Sequence, residues 1–289
     1  MKSSQGVRNP RALRSAPAAD VRGPASGQLA HIKTGCMTCN LRELCVPCCG
    51  LSGAQKEAAG ALEFGRIRLR RGQFLYRSGD RFTALYALRN GFFKTFSLLE
   101  DGRDQVTGFS IPGEILGMDG IALERHSCNA VALEDSEICA IPFAKLLELA
   151  QKIPALQHHF HRTMSREIVR EHGVMLQLGS MNAEERLSIF LLDLSRRFAA
   201  HGDSGTELNL RMTREEIGSY LGLKLETVSR TLSRFHDEGL IAVQNRLVRI
   251  LDRAGLEHVM RREQDAGSGG SGRAGEPEGA SPRLTPRRH

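Results

Sequence analysis

Residues 212–251, MTREEIGSYLGLKLETVSRTLSRFHDEGLIAVQNRLVRIL, restrict the possible folds more than any other stretch of the chain. Thr213-Arg-Glu-Glu216 is a capping box, in which the Thr and Glu side chains satisfy each other's backbone N–H groups at a helix start. Ile217, Tyr220 and Leu221 then give one apolar face, and Gly222 ends the helix. A second helix is predicted from about Leu225 to Glu238, stopping at Gly239, with Val228, Leu232 and Phe235 as its buried face. Ile241–Gln244 and Leu247–Ile250, joined by Asn245-Arg246, read as a hairpin. Two short helices around a tight glycine turn, followed by a hairpin, make a winged helix-turn-helix. A further capping box, Asn182-Ala-Glu-Glu185, precedes an apolar helix from Leu187 to Phe198.

The second helix of the pair carries chemistry. Glu226, Ser229 and Arg230 stand at i, i+3 and i+4, so they share one face in its first turns. The early residues of such a helix are the ones that reach base edges in the major groove. Arg forks onto guanine O6 and N7, Glu accepts from the cytosine amino group, and Ser contacts a base or a phosphate. The plainer reading is a solvated face with a Glu226–Arg230 ion pair.

Upstream, residues 63–145 are punctuated by glycines, with short β-prone runs such as Phe74–Tyr76, Ala84–Leu88 and Phe92–Phe96 between them. That spacing predicts an antiparallel sandwich or roll, and Glu100-Asp-Gly-Arg103 a hairpin turn. From Phe143 to Gly179 the period becomes helical. Met164, Ile168, Glu171, Met175 and Leu178 are spaced 4, 3, 4, 3, which is either a seam for a partner helix or one face packed on its own domain. In a parallel symmetric pair Glu171 would meet its own copy, and like charges would weaken the dimer. His158, His159 and His161 read as a polar helix face near the helix start.

No apolar run approaches the roughly 20 residues of a membrane span, and the first residues lack the apolar stretch of a signal peptide. The chain is therefore expected in the reducing cytoplasm, where structural disulfides are rare. Yet five of its seven cysteines fall within residues 35–50, GCMTCNLRELCVPCCG. Clustered thiols in such a compartment point to metal or redox chemistry. Cys36, Cys39, Cys45 and Cys48 read as C-x2-C-x5-C-x2-C, which suits a compact zinc site. The net charge of +7 is compatible with nucleic acid without arguing for it. Residues 1–34 and 263–289 read as disordered tails. The expected division is a tail (1–34), a cysteine loop (35–50), a roll (51–145), a helix region (146–181), a winged helix-turn-helix (182–262) and a tail (263–289). No catalytic constellation accompanies the cysteines: there is no phosphate-cradling glycine loop, Ser/His/Asp set or HExxH. An Fe–S electron carrier or enzyme is thereby disfavoured.

With NAEERLSIFLLDLSRRFA at 182–199, MTREEIGSYLGLKLETVSR at 212–230 and the spacing Cys36-x2-Cys39-x5-Cys45, the chain resembles the oxygen-sensing FNR branch of the CRP–FNR regulators. The resemblance runs from about Cys36 to Ile250. It implies an α+β architecture: an N-terminal β-roll sensor of the cyclic-nucleotide-binding type, a long dimerisation helix and a C-terminal winged helix-turn-helix. It also implies a [4Fe–4S] cluster on Cys36, Cys39, Cys45 and Cys139, which O2 converts to a [2Fe–2S] form, loosening the homodimer. Glu226, Ser229 and Arg230 would read a palindrome of TTGAT-like half-sites, and a surface near Gly102 would contact RNA polymerase. Cys48 and Cys49 depart from the family pattern, and Cys128 is expected to be structural. Cyclic-AMP-binding relatives carry a Gly-Glu pair and, about ten residues on, an Arg-Ser pair. Here Gly117-Met118 and Cys128-Asn129 stand in those places, so no cyclic nucleotide is expected, with Arg125 the one nearby cation able to substitute.

Overall fold

The computed structural model describes residues 65–202 and 204–266. Eight strands come first: β1 (Gly65–Leu69), β2 (Phe74–Tyr76), β3 (Ala84–Asn90), β4 (Phe93–Leu98), β5 (Asp104–Ser110), β6 (Ile115–Leu116), β7 (Asn129–Ala132) and β8 (Ser136–Pro142). They form two four-stranded antiparallel sheets, in the orders β1-β8-β3-β6 and β2-β7-β4-β5. Leu75, Tyr76, Leu88, Phe93, Leu116, Ala130 and Ile138 fill the space between the sheets. This is the roll that the glycine-punctuated runs predict. The β4–β5 hairpin turns where Asp-Gly stands, with Gly102 at φ +82°.

Two helices follow, α1 (Phe143–Lys152) and α2 (Pro154–Ser180). The break lies at Ile153, which is extended because the ring of Pro154 crowds it out of the helical region. Pro154 itself sits in the first turn of α2, where its missing N–H is not needed. Leu146, Ile153 and Leu156 cover Phe82, Leu85, Ala87 and Ile141 on the outer face of the first sheet.

The C-terminal part comprises α3 (Ala183–Ala200), β9 (Glu207–Asn209), α4 (Arg214–Leu221), α5 (Leu225–Asp237), β10 (Ile241–Gln244), β11 (Leu247–Ile250) and α6 (Arg253–Ala266). Both capping boxes are closed in both directions, at Asn182/Glu185 and Thr213/Glu216. The wing is three-stranded, because β9 pairs with β11 alongside the expected β10–β11 hairpin. Neither β9 nor α6 was legible as an element in the sequence. A single core joins the outer face of β4–β5 to the C-terminal part. Phe92, Phe96, Val106, Phe109 and Ile111 pack with Leu187, Phe190, Leu191, Leu194, Ile217 and Leu221. Full burial of each such side chain contributes roughly 1.5–3 kcal/mol.

Candidate nucleic-acid interface and sensor sites

The α4–α5 corner is tight for two local reasons. Gly222 takes the left-handed conformation at φ +64°, open to glycine at no steric cost. Gly218 lets the backbone of Leu223 approach: a Cβ at this position would stand 2.6 Å from the Leu223 carbonyl oxygen. Val228, Leu232 and Phe235 anchor α5, all three buried as its periodicity predicts. The opposite face stays free. Glu226 and Arg230 are exposed and Ser229 is half-buried. Lys224 occupies the N-cap with no side-chain cap, so the first-turn amides and the positive end of the helix dipole remain available to a phosphate. Arg230 also lines an open groove of about 400 Å³ with Asn182, Glu184, Thr227 and Arg234. Arg234 is held there by Glu184 and by Glu238, the latter at 2.8 Å.

The C-terminal part is docked on the roll by polar bridges that frame the shared core. Glu114 receives a two-pronged contact from Arg197 of α3, at 2.8 Å from Nε and 2.7 Å from Nη2, and the same Nη2 donates to the Phe109 carbonyl at 2.6 Å. Burial works against the Arg197 charge, but Glu114 outweighs it and strengthens the cation. Lys94 pairs with Glu216 at 2.7 Å, tying β4 to the capping box of α4. Burial pushes the Glu216 carboxyl up. Lys94 and the Thr213 N–H more than offset this and hold it below its ordinary range. Ser219 of α4 accepts from the Val106 N–H at 2.9 Å and donates to the Asp104 carbonyl at 3.0 Å, and Arg211 meets Glu134 at 2.7 Å. None of these pairs was legible in the sequence. The capping-box role of Glu216 was, but its partner Lys94 lies 122 residues away.

Cys139 is half-buried in β8. Its neighbour Ile138 points into the roll interior, while Cys139 packs at the margin of the cluster under α1 and α2. It stands opposite Arg66 on β1 and Ala87 on β3. Two positions before it, Glu137 gathers Arg89 at 2.7 Å, Arg68 at 3.5 Å and Arg66 at 3.7 Å. Cys36, Cys39, Cys45, Cys48 and Cys49 lie outside the described residues. Among the described residues no group of three or more His, Cys, Asp and Glu could hold a metal ion. Cys128 is buried, and its thiol points to Asp119 at 3.5 Å. Arg125 is exposed and donates to the Gly79 carbonyl at 2.8 Å.

On α2, Leu156 is buried and Phe160, Thr163, Glu167 and Arg170 are partly buried against the chain's own domain. The expected seam lies on a different stripe. Ile168 is 50%, Met175 60% and Leu178 38% exposed. Glu171 is exposed and Met164 half-buried. His158 and His161 are exposed and His159 is half-buried.

Residues 66–153 match the cyclic nucleotide-binding domain family, and residues 185–259 match the Crp-like helix-turn-helix domain family. A transcriptional regulatory protein, btr, of Bordetella pertussis is 46% identical over 84% of this chain and 98% of its own length. The chain belongs to the CRP–FNR family of transcription regulators. The transcriptional activator protein anr of Pseudomonas aeruginosa is 42% identical over 75% of this chain and 88% of its own. An anaerobic regulatory protein of Haemophilus influenzae is 39% identical over 82% and 93%. Among solved structures, FixK2 of Bradyrhizobium japonicum aligns with a TM-score of 0.63 at 28% identity, covering 68% of this chain and 96% of that one. This CRP–FNR chain is thus a transcription regulator with a DNA-binding helix-turn-helix. Among its described residues no helix is long and apolar enough to cross a membrane.

Proposed function

We propose that the chain is a cytoplasmic, oxygen-responsive regulator of genes for anaerobic or micro-aerobic metabolism. It would bind palindromic DNA with TTGAT-like half-sites as a homodimer, through Glu226, Ser229 and Arg230. The observation that carries the oxygen reading is the placement of Cys139. It lies outside the roll interior, opposite Arg66 on β1 and next to the Gly65–Ala140 pair. The linker from Cys45 to Gly65 spans up to roughly 65 Å when extended, ample to bring the N-terminal thiols to Cys139. The donor set, four cysteines of which one is fixed on a sheet, fits a [4Fe–4S] cluster held by Cys36, Cys39, Cys45 and Cys139. When bound, such a cluster supplies an O2-labile cross-link between these thiolates.

The residues of the chain account for the rest. Cys139 packs against the cluster of side chains that supports α1 and the start of α2, so a change at this thiol bears on the dimerisation helix. The stripe Met164, Ile168, Glu171, Met175 and Leu178, exposed apart from the half-buried Met164, would meet its copy in the partner, and the facing Glu171 carboxylates would oppose that pairing. A small opposing term keeps the two-state equilibrium within reach of a signal. The dimer would set two α5 helices about one DNA turn apart. The Gly102 hairpin, with Leu98 64% and Leu99 40% exposed, is the surface offered to RNA polymerase. The absence of a cyclic-nucleotide ligand is supported by Asp119, whose carboxylate takes up the main-chain N–H groups of Ser127 and Cys128.

The test is anaerobic purification with iron, sulfide and zinc assays of wild type, Cys139→Ser and Cys48→Ser. About four iron and four sulfide per chain, lost in Cys139→Ser and kept in Cys48→Ser, is the expected result. One zinc per chain, lost in Cys48→Ser, would replace the cluster with a zinc knuckle and remove the oxygen mechanism.

A further inference from the structure

The outer face of the first sheet changes character at Cys139. To one side lie Leu85, Ala87 and Ile141, covered by Leu146, Ile153 and Leu156. To the other side the same face is charged. Arg66 and Arg68 of β1 share it with Glu137 and Cys139 of β8, because strand residues two apart face the same way. Arg89 of β3 joins them through its 2.7 Å contact with Glu137. Their chain neighbours Ile67, Leu88 and Ile138 point into the roll interior. Arg66 stands directly opposite Cys139. Cross-strand partners hold their Cβ atoms roughly 4.5–5.5 Å apart, so the Arg66 side chain starts beside the thiol.

Glu137 is the carboxylate of this group, with Arg68 at 3.5 Å and Arg66 at 3.7 Å in addition to Arg89. One carboxylate balances one guanidinium, so two of the three cations are in excess. The side chains of Arg66, Arg89 and Glu137 are 24%, 25% and 23% exposed, whereas Arg68 is 81% exposed. The first three are partly shielded from water and held by the sheet, and charges so placed are screened less than those in open solvent. The surplus therefore acts on whatever group Cys139 holds.

We infer that Arg66 and Arg89, tethered by Glu137, form a cationic cradle that balances the charge of an iron–sulfur cluster on Cys139 and slows its loss in O2. The inference rests on the oxygen-sensor reading above and deepens it. A [4Fe–4S] group held by four thiolates carries a charge of about −2, which the two surplus cations match. Net charge and hydrogen bonds at the sulfurs set how readily such a group gives up electrons. In air those electrons pass to O2, and cations beside the donor hold them back. Glu137 works in the opposite sense, because it cancels one guanidinium.

The experiment compares full-length wild type, Arg66→Gln, Arg66→Lys, Arg89→Gln and Glu137→Gln, all purified anaerobically. Iron and sulfide are assayed first. The absorbance at roughly 400 nm is then followed after mixing with air-saturated buffer, and the reduction potential is read in an anaerobic titration. Arg66→Gln and Arg89→Gln are expected to lose the cluster about two- to fivefold faster than wild type and at a lower potential. Glu137→Gln should lose it more slowly by a similar factor and at a higher potential, and Arg66→Lys should match wild type. The spread should narrow in about 1 M salt. Opposite signs separate charge from packing, since a merely structural role, broken alike at either partner, shifts every variant in one direction. Rates that move together or do not move, or an Arg66→Lys rate equal to that of Arg66→Gln, overturn the inference while the cluster reading stands. Wild type without iron overturns both. Should the glutamine variants of the arginines not fold, Glu137→Gln decides alone: slower loss supports the cradle, and equal or faster loss overturns it.

Discussion

Replacing Arg197 by Met tests whether the roll and the DNA-binding part are held together by a specific ion pair or by apolar contact alone. Arg197 and Glu114 are 14% and 22% exposed, and they share two hydrogen bonds of 2.7–2.8 Å. Breaking a fully buried pair costs about 3–5 kcal/mol, because one charge is left without its partner. Here Glu114 would keep the Ile111 N–H at 3.1 Å and Arg170 at 3.7 Å, and both groups retain some water. The cost is accordingly discounted to about 2 kcal/mol. At roughly 2–4 °C per kcal/mol for a chain of this size, the melting temperature should fall by about 4–8 °C. A double-mutant cycle with Glu114→Gln isolates the pair. Thermal unfolding followed by circular dichroism on the reduced apo chain should give a coupling of roughly 1–2 kcal/mol. Strictly additive single mutants, or an Arg197→Met melting temperature within about 1 °C of wild type, would refute the reasoning and leave the apolar core as the whole of the docking.

Lys94→Met removes the partner that holds the Glu216 carboxyl below its ordinary value. A depressed folded-state value stabilises the fold above the unfolded carboxylate range, near pH 4, and this contribution is lost as pH falls through the folded value. The acid-unfolding midpoint of Lys94→Met should therefore lie at higher pH than that of wild type, as read by circular dichroism. Arg230→Met should lower affinity for a specific site by about 5- to 150-fold and leave affinity for unrelated DNA much less changed, measured by fluorescence anisotropy at fixed salt. Glu171→Ala should raise the dimer fraction in air by removing two facing carboxylates. Sedimentation with no change would show that α2 pairs along another stripe.

The local parts of this protein were legible in its sequence because they depend on neighbours a few residues apart. The Thr213/Glu216 and Asn182/Glu185 boxes, the stop at Gly222, and the buried Val228, Leu232 and Phe235 follow from capping chemistry and a 3.6-residue period. The shared face of Glu226, Ser229 and Arg230 follows from their i, i+3 and i+4 spacing on the same helix. Ile138 lies inside the roll and Cys139 at its margin because successive strand residues face opposite sides of the sheet. The strand β9 escaped notice because three residues carry too little period, and its partner is supplied only when the wing folds.

Only the tertiary structure decided how the roll meets the DNA-binding part and which side chains surround Cys128. Glu114 finds Arg197 across 83 residues, and Lys94 finds Glu216 across 122. Charged residues at such separations leave no periodic trace, since any surface carboxylate has the same appearance in a sequence. Asp119 is only seven to nine residues from His126, Ser127 and Cys128, but it also needs Tyr76, which a separate strand brings to it. Short-range hydrogen bonding and burial periodicity fixed the elements. The convergence of distant donors and charges on one carboxylate or one guanidinium was fixed only when the sheets and helices packed.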